Sequence, residues 1–418
     1  MMTYRKVNQL FTFASFSTAP ALGSVVSFLW HGGAIWCVFE VATGRRRFSP
    51  DRMMRFVYGI MLVYVATNLM AFLANDPSWE MARKLLPLVT FLMFPFSYSI
   101  WTISNREEIA RAAILGSAVA AASGFALALI QYYIVAMRPE GGAGNALVFA
   151  DVACLTGLVC LAGALTLETG RARLLLFAYA LAFLAVLFSG SRSVWGVMLG
   201  ASILVVLLCR GRVMNILRGR MLAILAVAVT VAVLASGVVA TRMELLGEEF
   251  RELAVSGNYN TSSGLRVALY EIGSRLVMER PFLGHGLQNT VHLIGHHLNA
   301  DYGVNRSFSH FHNGFLTAFV EGGVLCGLAV LALFAAIAVA AWRALQNAVD
   351  PIQRFGGLLL AILFCIYAGG GSVNLIFGHD ILDSMFMVVL ITGLYLATGS
   401  SQLPAEEKEE PDTDQARP

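Results

Sequence analysis

Residues 305–342 read NRSFSHFHNGFLTAFVEGGVLCGLAVLALFAAIAVAAW. A polar stretch holding His310 and His312 gives way at Asn313 to a run whose only charge, as far as Trp342, is Glu321. A helix needs roughly 20 apolar residues to cross the hydrocarbon of a bilayer, so residues 313–342 are long enough to span one. The two histidines then stand at the mouth of a membrane helix, and the side they face decides what they can do.

The same pattern recurs outward from this segment, at 53–74, 85–103, 109–137, 146–167, 171–188, 193–209, 221–240, 355–375 and 381–397. Residues 8–43 are too long for one span, and Pro20, Gly23, His31, Gly32 and Gly33 punctuate them, which predicts two helices turning near His31. Arg5-Lys6, a short apolar run and Ala19-Pro20-Ala21 imitate a cleavable signal peptide. The next apolar run follows with no soluble domain between, which favours a first membrane helix. The expectation is an all-α polytopic membrane protein of about 12 spans. With 57% hydrophobic and 13% charged residues among 418, and a mean hydropathy of +0.70, a water-soluble class is excluded.

A net charge of +3 says little about partners, and no nucleic-acid partner is expected. The placement of the basic residues says more. With the N-terminus in the cytoplasm, alternate connections and the termini collect 19 of the 29 Lys and Arg on the cytoplasmic side. Both termini are then cytoplasmic and the long 241–311 segment lies outside. The expected organisation is a transmembrane bundle over 1–240, an outer loop domain over 241–311, further membrane helices over 312–397 and a disordered acidic tail over 398–418. The six cysteines fall in or beside apolar spans, so there is no disulfide framework to read.

Within the outer loop, Leu265, Ala268, Leu269, Ile272 and Leu276 recur at helical spacing, which predicts an amphipathic helix ended by Pro281 and lying near the lipid surface. All eight histidines fall on the outer side in this topology, six of them between 241 and 312. Imidazole titrates nearest neutrality, so such a group suggests proton transfer or metal binding. His292 and His296 have helical spacing, but no Cys or carboxylate motif accompanies them, and no metal is expected. Arg192 in SGSRSVW sits in a tight outer turn, where a charge at the bilayer edge needs a partner or a wet cavity. Arg266 lies on the loop helix. Two guanidiniums facing one hollow suit a diphosphate, since each presents a planar fork that stays charged.

HNGFLTAFVEGGVLCG, SGSRSVW and LRVALYEIGSRLVMERPFLGHGLQN together resemble the O-antigen ligase and Wzy-type polymerase family of bacterial envelope glycosyltransferases. That family carries His-Asn, nine residues, Gly, two residues and then a small residue or Tyr. Here these are His312-Asn313, Gly323 and Cys326, the cysteine being a departure. Ser189-Gly190-Ser191-Arg192 matches its Arg-opened helix, and Arg266 with Pro281, Gly284 and Gly286 matches its loop helix and closing turn. The resemblance implies a metal- and cofactor-independent, inverting transferase of the inner membrane. It would move a glycan from undecaprenyl diphosphate to an acceptor at the periplasmic face. In a ligase the acceptor is lipid A core; in a polymerase it is a growing polysaccharide. His312 is the implied general base, Arg192 and Arg266 the diphosphate ligands. Asn313, His310, Glu321 and Asp151 are candidate supporting residues, Glu321 with a structural role favoured. A transporter or lipid flippase is the alternative, although its ionisable groups would gather near the midplane. A metal- or haem-handling protein is a further one.

Overall fold

The computed structural model describes residues 3–75, 77–167, 170–211, 213, 221–399 and 401. Among these residues every regular element is helical. The order is α1 (Tyr4–Leu22), α2 (Val25–Ala42), α3 (Arg52–Ala74), α4 (Leu86–Trp101), α5 (Arg106–Leu129), α6 (Ala146–Thr166), α7 (Ala172–Phe188), α8 (Arg192–Leu208) and α9 (Met221–Ser256). Then follow α10 (Ser262–Glu279), α11 (Thr290–Tyr302), α12 (Gly314–Gln346), α13 (Pro351–Phe364) and α14 (Asp380–Thr398). Short turns, Trp79–Ala82 and Arg83–Leu85, lead into α4, and π-helical turns extend α5 through Ile134 and α13 through Gly369. Eight helices, among the described residues, are long and apolar enough to cross a membrane, and α7 and α8 are shorter apolar helices. The chain is a multi-pass membrane protein. The acidic tail beyond residue 401 lies outside the described residues.

Residues 8–43 do form two helices, but the break falls at Gly23 (φ 55°), not near His31. The run His31-Gly32-Gly33 stays helical because an apolar environment leaves backbone groups no partner but one another. His31 therefore sits inside α2, its Nδ1 2.8 Å from the Ser27 carbonyl and its Nε2 3.0 Å from Thr90 Oγ1, rather than at a turn. The helix expected to end at residue 240 continues to Ser256.

Two helices, α6 and α14, form the centre of the bundle, with nearly every residue buried. Around them small residues bring backbones close, as where Gly116 of α5 lies against the Phe13 carbonyl of α1. A second, separate core forms in the long loop. Leu265, Ala268, Leu269, Ile272 and Leu276 of α10 are each at most 5% exposed, packed with Ile294, Leu298, Phe311 and Val320. The predicted apolar face is there, yet it faces α11 and the start of α12 rather than lipid. The helix ends at Glu279, two residues before Pro281, as expected.

One irregularity positions the site. In α12 the backbone leaves helical geometry at Gly323 (φ 74°, ψ −171°). The carbonyls of Val320 and Glu321 then accept from His285 and Gly286, each at 2.8 Å, while Val324 N–H donates to the Pro281 carbonyl at 2.7 Å. The Pro281–Gly286 turn thus supplies the partners that the break removes, which is the condition for irregular backbone beside a membrane. The approach is close enough that a Cβ on Gly323 would lie 2.2 Å from the Phe282 carbonyl oxygen.

Candidate functional site

The loop before α12 holds His310 and His312 by three anchors. Phe311, between them, is fully buried in the loop core, and its N–H donates to Thr317 Oγ1 at 3.1 Å. Asn313 caps α12, its Oδ1 accepting from Leu316 N–H at 3.0 Å. Tyr270 of α10 donates its hydroxyl proton to the His312 carbonyl at 3.0 Å. So held, His312 adopts φ 50°, a left-handed conformation costing on the order of 1–3 kcal/mol in a residue with a bulky side chain.

The His312 ring packs edge-on to His310 (centroids 4.6 Å apart) and Phe308 (5.3 Å). Its Nδ1 and the Nε2 of His310 are buried without a hydrogen-bond partner. Burial, then the neighbouring His310 and Arg266, pushes the His312 pKa down to about 4. Burial does the same for His310, to about 4, with His379 adding repulsion and the Asn374 side chain opposing it. Both rings are neutral at pH 7, with nitrogens free to accept a proton.

Arg266 lies beside His312 because α10 presents two faces: Leu265, Leu269 and Ile272 turn into the core, Arg266 and Tyr270 one turn apart turn to the histidines. Arg266 makes no hydrogen bond or ion pair among the described residues. Arg192 begins α8 and is engaged. Its guanidinium donates to the Arg242 carbonyl at 3.0 Å and to Glu249 at 3.1 and 3.2 Å. Glu249 also accepts from Ser263 Oγ at 2.7 Å, in the first turn of α10, three residues before Arg266. Burial would raise the Glu249 pKa, but the Ser263 and Arg192 hydrogen bonds outweigh it and hold the carboxyl below its ordinary range. One carboxylate therefore ties Arg192 to the helix that carries Arg266.

Two further arginines, not singled out in the sequence, gather at the same turn. Arg138 donates to the Ser189 carbonyl at 2.6 Å and to Ser191 Oγ at 3.1 Å. The Arg242 guanidinium lies against Gly190, whose φ is 64° and where a Cβ would meet Nε at 2.7 Å. Burial, then Arg242, lowers the Arg138 pKa, with Arg192 adding to the repulsion. Tyr270 was legible from its spacing to Arg266. Arg138, Arg242 and Glu249 had no local signal, since only the packing of α9 against the outer turns brings them together.

Two candidate acids stand elsewhere. Glu321 accepts from Thr290 Oγ1 at 2.8 Å, beside the break in α12, and no contact among the described residues joins it to His312. Asp151 is buried in α6 near Cys154 and Tyr367, with no ion pair to an arginine among the described residues. In the loop, His292 and His296 stack at 6.2 Å, and among the described residues no three His, Cys, Asp or Glu side chains are grouped to hold a metal ion. Beyond the end of α13, Gly369 and Gly370 face open space, whereas Gly371 packs on Ile376.

A polytopic helical membrane protein with neutral imidazoles and arginines gathered on loops at one face is the kind of molecule these features define. Residues 177–331, from within α7 to beyond the break in α12, match the family model of the O-antigen ligases. The match takes in Arg192, Arg266, His310, His312 and Glu321, and leaves out Arg138 and Asp151. No curated protein matches the chain.

Proposed function

We propose that this chain is a metal-independent, inverting glycosyltransferase of the bacterial inner membrane with both termini in the cytoplasm. It moves a glycan from undecaprenyl diphosphate to lipid A core at the periplasmic face, as an O-antigen ligase. The observation that carries the reading is His312: a strained, half-buried, neutral imidazole with an unpartnered nitrogen, next to the Arg266 guanidinium, which has no partner among the described residues. An acceptor hydroxyl gives its proton to His312 while its oxygen attacks the anomeric carbon. The bond from that carbon to the diphosphate oxygen breaks, and the diphosphate leaves with the electron pair. Arg266 and Arg192 stabilise the charge developing on it. The same diphosphate, on arrival, opposes the repulsion that Arg266 exerts on His312 and raises its basicity when a base is needed. General-base catalysis of this kind contributes about 10²–10⁴-fold. Asn313 and His310 act by holding His312, and Glu321 and Asp151 are structural.

The second reading is a polymerase of O-antigen or exopolysaccharide repeats, which uses the same donor chemistry on a growing polysaccharide. A deletion strain separates the two. Lipopolysaccharide without its glycan cap, together with accumulated lipid-linked polymer, is the outcome for a ligase. Single unpolymerised repeats would overturn the ligase reading in favour of the polymerase, and unchanged lipopolysaccharide and secreted polysaccharide would contradict both.

A further inference from the structure

At the end of the molecule away from His312, α3 and α12 diverge over a groove of about 640 Å³. Its floor on α12 is Ala332, Ala335, Ala336, Val339 and Ala340, one face of the helix, where small side chains leave a trough. Phe56 and Ile60 of α3 form its other wall, and Arg52, at the start of α3, and Arg343, in the last turn of α12, line the same groove. Both arginines are exposed, and neither makes an ion pair or hydrogen bond among the described residues. The nearest acid along α3, Asp51, is committed elsewhere: it caps the helix through Met53 and Met54 N–H and accepts from the Tyr98 hydroxyl.

We infer that this groove binds one anionic phospholipid of the leaflet opposite the His312 site, its phosphate between Arg52 and Arg343 and an acyl chain along the alanine trough. The dimensions agree. Arg343 to Ala332 is about 16 Å along the helix axis, close to half of a hydrocarbon core roughly 30 Å thick. An apolar trough one leaflet deep, headed by two guanidiniums with no acidic partner among the described residues, matches both halves of such a lipid. A polar acidic peptide, including the chain's own tail, matches only the arginines. Under the basic-residue asymmetry of the connections, this end faces the cytoplasm.

The test is native mass spectrometry of the purified full-length chain titrated with phosphatidylglycerol or phosphatidylethanolamine. One phosphatidylglycerol should be retained in preference. Arg52→Gln and Arg343→Gln should each weaken that retention about fivefold. Ala336→Phe, which fills the trough, should weaken retention of both lipids. Arg47→Gln removes the same charge from an exposed site outside the groove and should have little effect. Equal retention of the two lipids, a loss in Arg47→Gln matching that in Arg52→Gln, or no loss in Arg343→Gln would each overturn the inference. Since both arginines are solvent-exposed, the substitutions leave folding intact, which monodispersity and helical content report alongside.

Discussion

At the scale of single residues, the site depends on a histidine held where histidine is rarely found. The φ of 50° at His312 persists because Phe311 is buried on one side, Asn313 caps a helix on the other, and Tyr270 grips the carbonyl. Release of any one anchor lets the backbone relax and moves the ring. The burial has a pH consequence with a definite sign. His310 and His312 have pKa values of about 4, against 6.5 when free in solution. Between those values the unfolded chain binds more protons than the folded one, so stability rises with pH through the window and is fully present above 6.5. Acidification from neutrality toward about 4 should therefore loosen the loop before α12. Hydrogen exchange of peptides covering residues 305–317, corrected for intrinsic rates, should show protection falling across that range and a smaller fall in His310→Gln. Protection unchanged across the window would mean that the rings are not held neutral. Arg192, Arg266 and His312 stood out in the sequence as candidates because residue type and setting coincided there. Glu249 was not, because a carboxylate in a charged loop has no distinguishing pattern until its partners Arg192 and Ser263 are folded against it.

At the scale of elements, α10 was readable because one side is apolar at every helical turn, and its buried face follows that spacing. What the spacing could not say is what covers the face. α11 contributes Ile294 and Leu298 from a stretch crowded with histidines, where two buried positions give too weak a period to stand out. The break in α12 was equally hidden: Gly322-Gly323 reads as a flexible pair inside a continuous apolar run, and only the Pro281–Gly286 turn gives the break its partners. This joint ties the loop helices to the membrane helix that begins at Gly314. Gly323→Ala would place a Cβ in a backbone region open almost only to glycine and 2.2 Å from a carbonyl oxygen. It should cost on the order of 3 kcal/mol, read as a lowered Tm, and should impair glycan transfer with His312 intact. A variant with unchanged Tm and full activity would show that the joint is not required.

At the scale of the whole molecule, composition was sufficient for the class and the distribution of arginines for an expected sidedness. Which spans form the centre was not readable. Helices such as α6 and α14, buried on all sides, carry no amphipathic period to distinguish them from lipid-facing neighbours. The position of the first helix break was missed for a related reason, since glycines inside a membrane helix mark close packing as often as turns. The architecture places α8, α9 and α10 so that Arg192, Glu249 and Ser263 are joined by hydrogen bonds, and it sets Arg266, three residues further along α10, in the polar region beside His312. The account stands on His312 being the proton acceptor in that region. The direct measurement is transfer of glycan from lipid-linked donor by purified His312→Ala, with donor binding and Tm recorded on the same sample. The account predicts a folded protein that binds donor and transfers about 10²–10⁴-fold more slowly; transfer within a few-fold of the unsubstituted chain would contradict it.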